Sequence, residues 1–209
     1  MRRLAAALIA LVCWAGIFIQ FGDTYARTQD AAESLWILLR FFTIVTNLAL
    51  ATTMTALAAG KRVSEFLQGG LTLAILLVGL VYVTMLAGLH PLSGAALLAD
   101  YLLHYVSPVC MTAYWLLLTP HRNLRWSAPG LWALFPIIYF SYVLARGAAD
   151  GRYPYPFIDI GKIGTERALL NALVIGMLFL IAGCLLVWLD RRLPLGLPTR
   201  PAKDPIKGI

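Results

Sequence analysis

Residues 166–189 read ERALLNALVIGMLFLIAGCLLVWL, and from residue 168 to residue 189 this run contains no charged side chain. A helix needs about 20 consecutive apolar residues to cross the hydrocarbon core of a bilayer. The run therefore predicts a transmembrane helix. Five further stretches qualify on the same grounds. The six predicted spans are 4–21, 35–59, 66–89, 94–118, 130–146 and 166–189.

The composition of the whole chain agrees with this interpretation. The 209 residues are 60% hydrophobic and 13% charged, whereas soluble domains are about 45–50% apolar and about 25% charged. These values exclude a soluble globular protein, a disordered chain and a disulfide-rich secreted module. The predicted fold class is an all-α integral membrane bundle of six transmembrane helices over residues 1–193. A flexible, basic, proline-rich tail is expected over residues 194–209.

The predicted loops alternate in charge. The side that carries both termini holds eleven Lys and Arg against three acidic residues, and the other side holds six against seven. Since cytoplasmic loops attract Lys and Arg, both termini are expected in the cytoplasm and the segments 22–34, 90–93 and 147–165 outside. The net charge of +7 is then explained by topology and by attraction to anionic membrane lipids, and no nucleic-acid partner is predicted.

Two of the predicted spans carry polar side chains at membrane depth, where ionisable groups are costly and rare. On each span these residues recur at helical spacing, which puts them on one face. They are Arg40, Thr43 and Asn47 on the second span, and Asp100, His104 and Ser107 on the fourth.

The depth of these residues follows from the helical rise of about 1.5 Å per residue. Thr43 and His104 each lie about 12 to 13 Å from the predicted outer end of their span. We therefore expect the hydroxyl and the imidazole at one level. Arg40 and Asp100 are expected one turn nearer the outer surface, as a charged lid pair.

A neutral imidazole accepts a proton from a neighbouring hydroxyl, which turns the hydroxyl into a nucleophile. Thr43 and His104 therefore predict nucleophilic catalysis. Asn47, Arg40 or a nearby tyrosine is the expected oxyanion donor, because amides in the middle of a helix are already bonded. Pro108 removes the donor for the His104 carbonyl and predicts a bend in the fourth span.

Structural roles remain as alternatives for each of these residues. Thr43 can bond a carbonyl of its own helix, and His104 can be a hydrogen-bond partner between helices. Arg40 and Asp100 can simply pair or extend to the membrane interface. Asn47 is typical of an interhelical contact.

The predicted outer segment 150–159, DGRYPYPFID, is stiffened by two prolines and carries Tyr153 and Tyr155. It either caps the polar cluster or rests at the membrane interface. Asn171, on the last span, is a further candidate for a supporting contact. His104 is the only histidine predicted at membrane depth, so we expect neither a metal site nor a cofactor.

Three pieces of the sequence resemble a known family. They are Arg40-Phe41-Phe42-Thr43 with Asn47, Leu103-His104-Tyr105 ahead of Pro108, and Tyr153-Pro154-Tyr155-Pro156-Phe157-Ile158-Asp159. In order and spacing they are similar to the androgen-induced membrane hydrolase family and its bacterial Pr-six-Pr relatives. The resemblance implies a six-helix membrane protein with a threonine nucleophile at Thr43 and a histidine base at His104.

Animal members of that family cleave fatty acid esters of hydroxy fatty acids, whereas the Leu-His-x3-Pro form resembles the bacterial branch. The resemblance thus implies an intramembrane threonine hydrolase in a bacterial inner (plasma) membrane, with its site toward the outer leaflet. Its expected substrate is an apolar acyl ester that enters from the bilayer. The expected supporting residues are Arg40, Asn47, Asp100, Ser107, Asn171, Tyr153 and Tyr155.

Two other classes of protein fit the same sequence. A non-enzymatic lipid-binding or scaffold protein would use Thr43 and His104 only to bond helices together. A small transporter would need a continuous polar path, helices broken at mid-membrane or an inverted repeat. The polar residues lie only in the predicted outer half of the spans, which favours the hydrolase over the transporter.

Overall fold

The computed structural model describes residues 1–89 and 91–194, and every regular element in this part of the chain is helical. The helices are α1 (Arg2–Thr28), α2 (Ala31–Leu38), α3 (Phe42–Ala58), α4 (Glu65–Leu86), α5 (Gly94–Leu118), α6 (Ala128–Asp150) and α7 (Thr165–Arg192). Five are long and apolar enough to cross a membrane, and the bent pair of α2 and α3 makes a sixth when it is counted as one span. The chain is therefore an all-helical protein with the features of a membrane bundle.

The bounds of the predicted spans agree with the helices to different degrees. The fourth predicted span coincides with α5, whereas α1 continues to Thr28 and α6 to Asp150, well beyond the predicted ends. Polar residues such as Asp23 and Arg27 are tolerated at the end of α1 because they pair with each other on its surface. Residues 195–209 of the predicted tail, and position 90 of the predicted turn, lie outside the described residues.

The second predicted span is not continuous, which corrects the sequence interpretation. The axes of α2 and α3 differ by 98°, and Phe41 between them is extended, with φ −92° and ψ 128°. Arg40 therefore lies in the break and does not share a helix face with Thr43 and Asn47, so that prediction is wrong. The break moves Thr43 to the first turn of α3.

Side chains from distant elements satisfy the backbone groups that the break exposes. The Tyr139 hydroxyl donates to the Arg40 carbonyl at 2.6 Å, and the Phe42 amide donates to the Tyr155 hydroxyl at 2.9 Å. Unpaired backbone groups cost several kcal/mol in a bilayer. These two tyrosines therefore hold the break in place.

Two wide helical turns lie side by side near the break. Residues Tyr82–Leu86 of α4 and Leu102–Val106 of α5 form π turns. The ring of Pro108 on α5 packs against α4, where a Cβ on Gly79 would come within 3.2 Å of it. Gly79 thus lets α4 approach α5 closely, and π turns occur frequently at functional sites.

The helices pack on a core of apolar side chains between α1, α3, α4 and α5. Leu50, Met54, Ile75 and Met111 are fully buried there. We call the end of the bundle that contains the break and residues 151–164 the loop end, and the opposite end, with residues 60–64 and 119–127, the basic end. The apolar core separates the polar groups of the two ends.

A buried histidine–aspartate contact closes the basic end. His121 and Asp190 are 2% and 1% exposed, and the His121 Nδ1 lies 3.1 Å from the Asp190 carboxylate. The other ring nitrogen faces the Leu116 carbonyl at 3.2 Å, and the Leu124 amide donates to Asp190 at 3.0 Å. One carboxylate of α7 therefore fixes the segment that joins α5 to α6.

Replacement of Asp190 by alanine should lower the free energy of unfolding by about 3 kcal/mol, because it leaves the buried His121 and the Leu124 amide without a partner. Thermal unfolding of the protein in detergent, followed by tryptophan fluorescence, measures this change. The matched control is Glu166→Ala, which removes an exposed carboxylate from the same helix and should cost less than about 1 kcal/mol. Equal effects of the two variants would contradict the prediction.

Candidate active site

A threonine hydroxyl and a histidine imidazole meet at the loop end. The Oγ1 of Thr43 lies 3.1 Å from the Nε2 of His104. Thr43 is 7% exposed, in the first turn of α3, and His104 is half-buried in the π turn of α5. The sequence prediction that these two side chains lie at one level is confirmed, and Thr43 faces the imidazole across two helices.

The other ring nitrogen of His104 faces a buried carboxylate. The Nδ1 atom lies 2.9 Å from Oδ1 of Asp100, one helical turn earlier on α5, and 3.2 Å from the Asp100 carbonyl. An imidazole nitrogen that faces a carboxylate carries the proton. When the ring is neutral, Nε2 is then the acceptor that faces the Thr43 hydroxyl. Hydroxyl, imidazole and carboxylate stand in the order found in serine–histidine–aspartate sites.

Tyr82 of α4 completes this group, and the sequence analysis missed it. Its hydroxyl donates to Oδ2 of Asp100 at 2.5 Å, and its ring stacks on His104 with centroids 4.0 Å apart. The two contacts fix both the carboxylate and the plane of the imidazole. A tyrosine near the end of a span is typical of an interface anchor, so only its position in a wide turn beside α5 reveals this role.

The first turn of α3 and Tyr155 form a polar pocket beside the Thr43 hydroxyl. The Tyr155 hydroxyl accepts from the Phe42 amide, and Tyr155 lines the same two cavities as Thr43. The first amides of a helix have no partner within the helix. The expectation that the amides near Thr43 are bonded within a helix is therefore wrong, because the break makes Thr43 part of a helix start.

The phenol of Tyr155 stays protonated under ordinary conditions. Burial raises its pKa above the usual value of 10.0. Since the unperturbed group already keeps its proton up to about pH 10, the shift makes Tyr155 a hydrogen-bond donor throughout the range in which proteins are assayed.

Arg40 does not pair with Asp100, so the predicted lid pair is wrong. Its guanidinium binds both carboxylate oxygens of Asp150, at the end of α6, and the carbonyl of Arg152. Arg40 is buried, and its planar fork suits a two-pronged contact with a carboxylate. It therefore ties the break between α2 and α3 to the segment that carries Tyr155.

Four other residues that the sequence indicated have mostly structural contacts. The amide of Asn47 donates to the Thr43 carbonyl at 2.9 Å and to the Leu103 carbonyl at 3.2 Å, and Ser107 donates to Leu103 at 3.1 Å. The bond from Asn47 to Leu103 holds α3 against α5 beside His104, whereas Ser107 bonds a carbonyl of its own helix.

The remaining two lie on the loop end outside the polar group. Asn171 donates to the Phe157 carbonyl at 2.8 Å and so attaches the segment 151–159 to α7. The ring of Tyr153 packs on Gly147 of α6, where a Cβ would come within 2.2 Å. Of the two predicted tyrosines, only Tyr155 lines the cavities beside Thr43.

Two cavities meet at Thr43. One measures about 420 Å³ and lies between α4, α6 and α7, and the other measures about 560 Å³ and lies between α1, α4 and α5. Both are lined by Thr43, Leu86 and Tyr155, whereas His104 and Asp100 line only the second. The threonine hydroxyl is thus accessible from two directions.

Comparison with known proteins adds no assignment. No protein-family model matches the chain, and neither a curated protein nor a solved structure matches it significantly. The possible chemistry of the site therefore follows from its geometry: a hydroxyl, a base and a buried carboxylate next to a cavity.

Replacement of Arg40 by glutamine should loosen the segment 151–159, because Asp150 loses its partner. We expect amide hydrogen exchange in this segment to accelerate about tenfold or more, which corresponds to about 1.4 kcal/mol of local stability. Arg152→Gln is the control, since the Arg152 side chain is exposed and contributes only its backbone to the contact. Unchanged protection in Arg40→Gln would show that the segment is held by other contacts.

Proposed function

We propose that the chain is an intramembrane threonine hydrolase that cleaves the acyl ester of a lipid-like substrate. The observation that supports this most is the alignment of Thr43 Oγ1, the two nitrogens of His104 and Asp100 Oδ1 at 3.1 and 2.9 Å. Each distance permits proton transfer or a hydrogen bond. The resemblance to the androgen-induced membrane hydrolases, with their threonine and histidine at the same positions, agrees with this proposal.

In the proposed reaction the Thr43 oxygen attacks the ester carbonyl carbon while His104 Nε2 takes the hydroxyl proton. The tetrahedral intermediate collapses as the same nitrogen returns that proton to the leaving alcohol, which leaves the acyl group on Thr43. A water molecule then gives a proton to His104 and attacks the acyl carbon. Release of the fatty acid and return of the proton to the threonine oxygen restore the site.

Asp100 and Tyr82 position the base in this mechanism. The carboxylate holds the proton on Nδ1 and stabilises the imidazolium that forms during attack. The Tyr82 hydroxyl holds the second carboxylate oxygen, and its ring prevents rotation of the imidazole. Both contacts exist before substrate binds, which is the preorganisation that catalysis requires.

The developing negative charge on the substrate oxygen would lie at the first turn of α3. The Tyr155 phenol and the Thr43 amide are the donors there, since the Phe42 amide already bonds Tyr155, and the helix start adds a positive partial charge. These groups replace Asn47 and Arg40 as the proposed oxyanion donors, because the latter two are engaged in structural contacts. Donors of this kind typically contribute a factor of about 10² to 10³ to the rate.

We further propose that the protein lies in a bacterial inner membrane with both termini in the cytoplasm and the loop end toward the outer leaflet. The excess of Lys and Arg at the basic end supports this orientation. The site would then lie about two helical turns below the outer surface, where a membrane ester and water both have access.

A lipid-binding protein without catalytic activity is the second candidate, and the apolar cavity beside Thr43 favours it. A transporter is less well supported. A break like that between α2 and α3 is one of its expected features, but buried apolar side chains such as Leu50, Met54 and Met111 fill the bundle between the loop end and the basic end.

The variants Thr43→Ala and His104→Ala should each abolish covalent labelling of the purified protein by a fluorophosphonate probe, because the first removes the proposed nucleophile and the second the proposed base. Asn at Asp100 should slow labelling by at least about 100-fold, since the wrong nitrogen is then protonated. Mass spectrometry should locate the modification on Thr43. Matched controls are Thr52→Ala, on the exposed side of α3, and Glu33→Gln, an exposed carboxylate. Normal labelling of the first two variants would reject the mechanism.

The variant Tyr155→Phe should lower the rate of ester hydrolysis about 100-fold, because it removes the phenol hydroxyl that we propose as an oxyanion donor. The comparison is Tyr153→Phe, which removes the same hydroxyl two residues away from a ring that only packs on Gly147. Initial rates with a soluble nitrophenyl ester report the effect. Equal rates for both variants would remove Tyr155 from the proposed oxyanion site.

A further inference from the structure

The two cavities that meet at Thr43 differ in chemical character, and this difference assigns the two halves of the substrate. We propose that the cavity between α4, α6 and α7 binds the acyl chain and that the cavity between α1, α4 and α5 receives the leaving alcohol and the hydrolytic water. The assignment rests on the proposed hydrolase function and adds the orientation and the class of substrate.

The first cavity, which we call the acyl cavity, is lined almost entirely by hydrocarbon side chains. Its wall on α7 contains two small residues, Ala172 and Gly176, one turn apart. No atom lies within 4 Å of a Cβ built on Gly176. The small residues therefore keep open a space of about 420 Å³, which is within the range of about 300 to 1,000 Å³ of ligand sites.

The acyl cavity opens to the membrane between α6 and α7. Ile137 of α6 and Leu173 of α7 both line it and are nevertheless 56% and 59% exposed. Side chains that border a cavity and the outer surface at once mark its mouth. Because both lie on transmembrane helices, the mouth faces lipid tails, and a hydrocarbon chain can enter without crossing water.

The second cavity, which we call the alcohol cavity, carries the ionisable groups. His104, Asp100 and Tyr82 line it, and so do Gln20 and Arg27 of α1 toward the loop end. His104 does not line the acyl cavity. An imidazole that protonates a leaving group must be on the side of that group, so the alcohol has to leave through the alcohol cavity.

The two cavities together define the substrate class. The carbonyl carbon lies at Thr43, between them, with a hydrocarbon chain extending between α6 and α7. The alcohol side tolerates polar groups because Gln20 and Arg27 are present there. The substrate is therefore a long-chain acyl ester of a polar or amphipathic alcohol, held with its chain toward the bilayer.

The test compares p-nitrophenyl palmitate with p-nitrophenyl butyrate in the full-length protein. Ala172→Phe fills the acyl cavity, and the ratio of kcat/KM for palmitate over butyrate should fall at least about tenfold. Ala182→Phe makes the same change at an exposed position of α7 that does not line the cavity, and it should leave the ratio unchanged. An unaltered ratio in Ala172→Phe, with folding intact by tryptophan fluorescence, would overturn the assignment.

A second measurement separates this assignment from the hydrolase proposal. In Thr43→Ala, a palmitoyl ester with a diazirine near the end of the chain should crosslink to residues of α6 and α7 such as Ile137, Leu173 and Gly176. Adducts elsewhere on the protein would overturn the acyl cavity even if Thr43 is labelled by fluorophosphonate. Adducts in the cavity together with an unlabelled Thr43 in the wild type would retain the lipid site and reject the hydrolase.

Discussion

The backbone cannot leave its hydrogen-bonding groups unpaired inside a bilayer, and the break between α2 and α3 meets this constraint with side chains from other helices. The Tyr139 hydroxyl donates to the Arg40 carbonyl, and the Tyr155 hydroxyl accepts from the Phe42 amide. The Arg40 guanidinium binds Asp150. These contacts are what make an interrupted helix stable at this depth. They also determine where Thr43 lies, because the break makes it the second residue of α3.

Because Thr43 lies at the start of α3, the contacts that stabilise the break also surround the Thr43 hydroxyl. A threonine in the middle of a helix can use the carbonyl of the preceding turn, and its amide is bonded. At the start of α3 the hydroxyl instead bonds His104, and the Phe42 amide bonds Tyr155. The network that supports the break therefore also places the Thr43 hydroxyl next to the imidazole.

The length of the apolar runs predicted the helices well, because about 20 consecutive residues with few or no charges have few alternatives to a membrane-spanning helix. The helical rise predicted that Thr43 and His104 lie at one level, although the count for Thr43 assumed a continuous second span, which the break between α2 and α3 replaces. The break could not be predicted, because residues 35–59 contain neither proline nor glycine, and its cause is a set of contacts with α6 and the segment after it. Asp150 lies 110 residues after Arg40 in the sequence, so residue spacing could not identify it as the partner of Arg40. The sequence analysis paired Arg40 with Asp100 instead.

The π turn at Leu102–Val106 has a consequence for comparing this chain with others. A π turn is equivalent to one inserted residue in an α-helix, and one residue corresponds to about 100° of rotation. A homologue in which α5 is regular would align with a single-residue gap at this point, and an ungapped alignment would match His104 with a residue on another face. Alignments of this region should therefore be anchored separately on Asp100 and on Pro108.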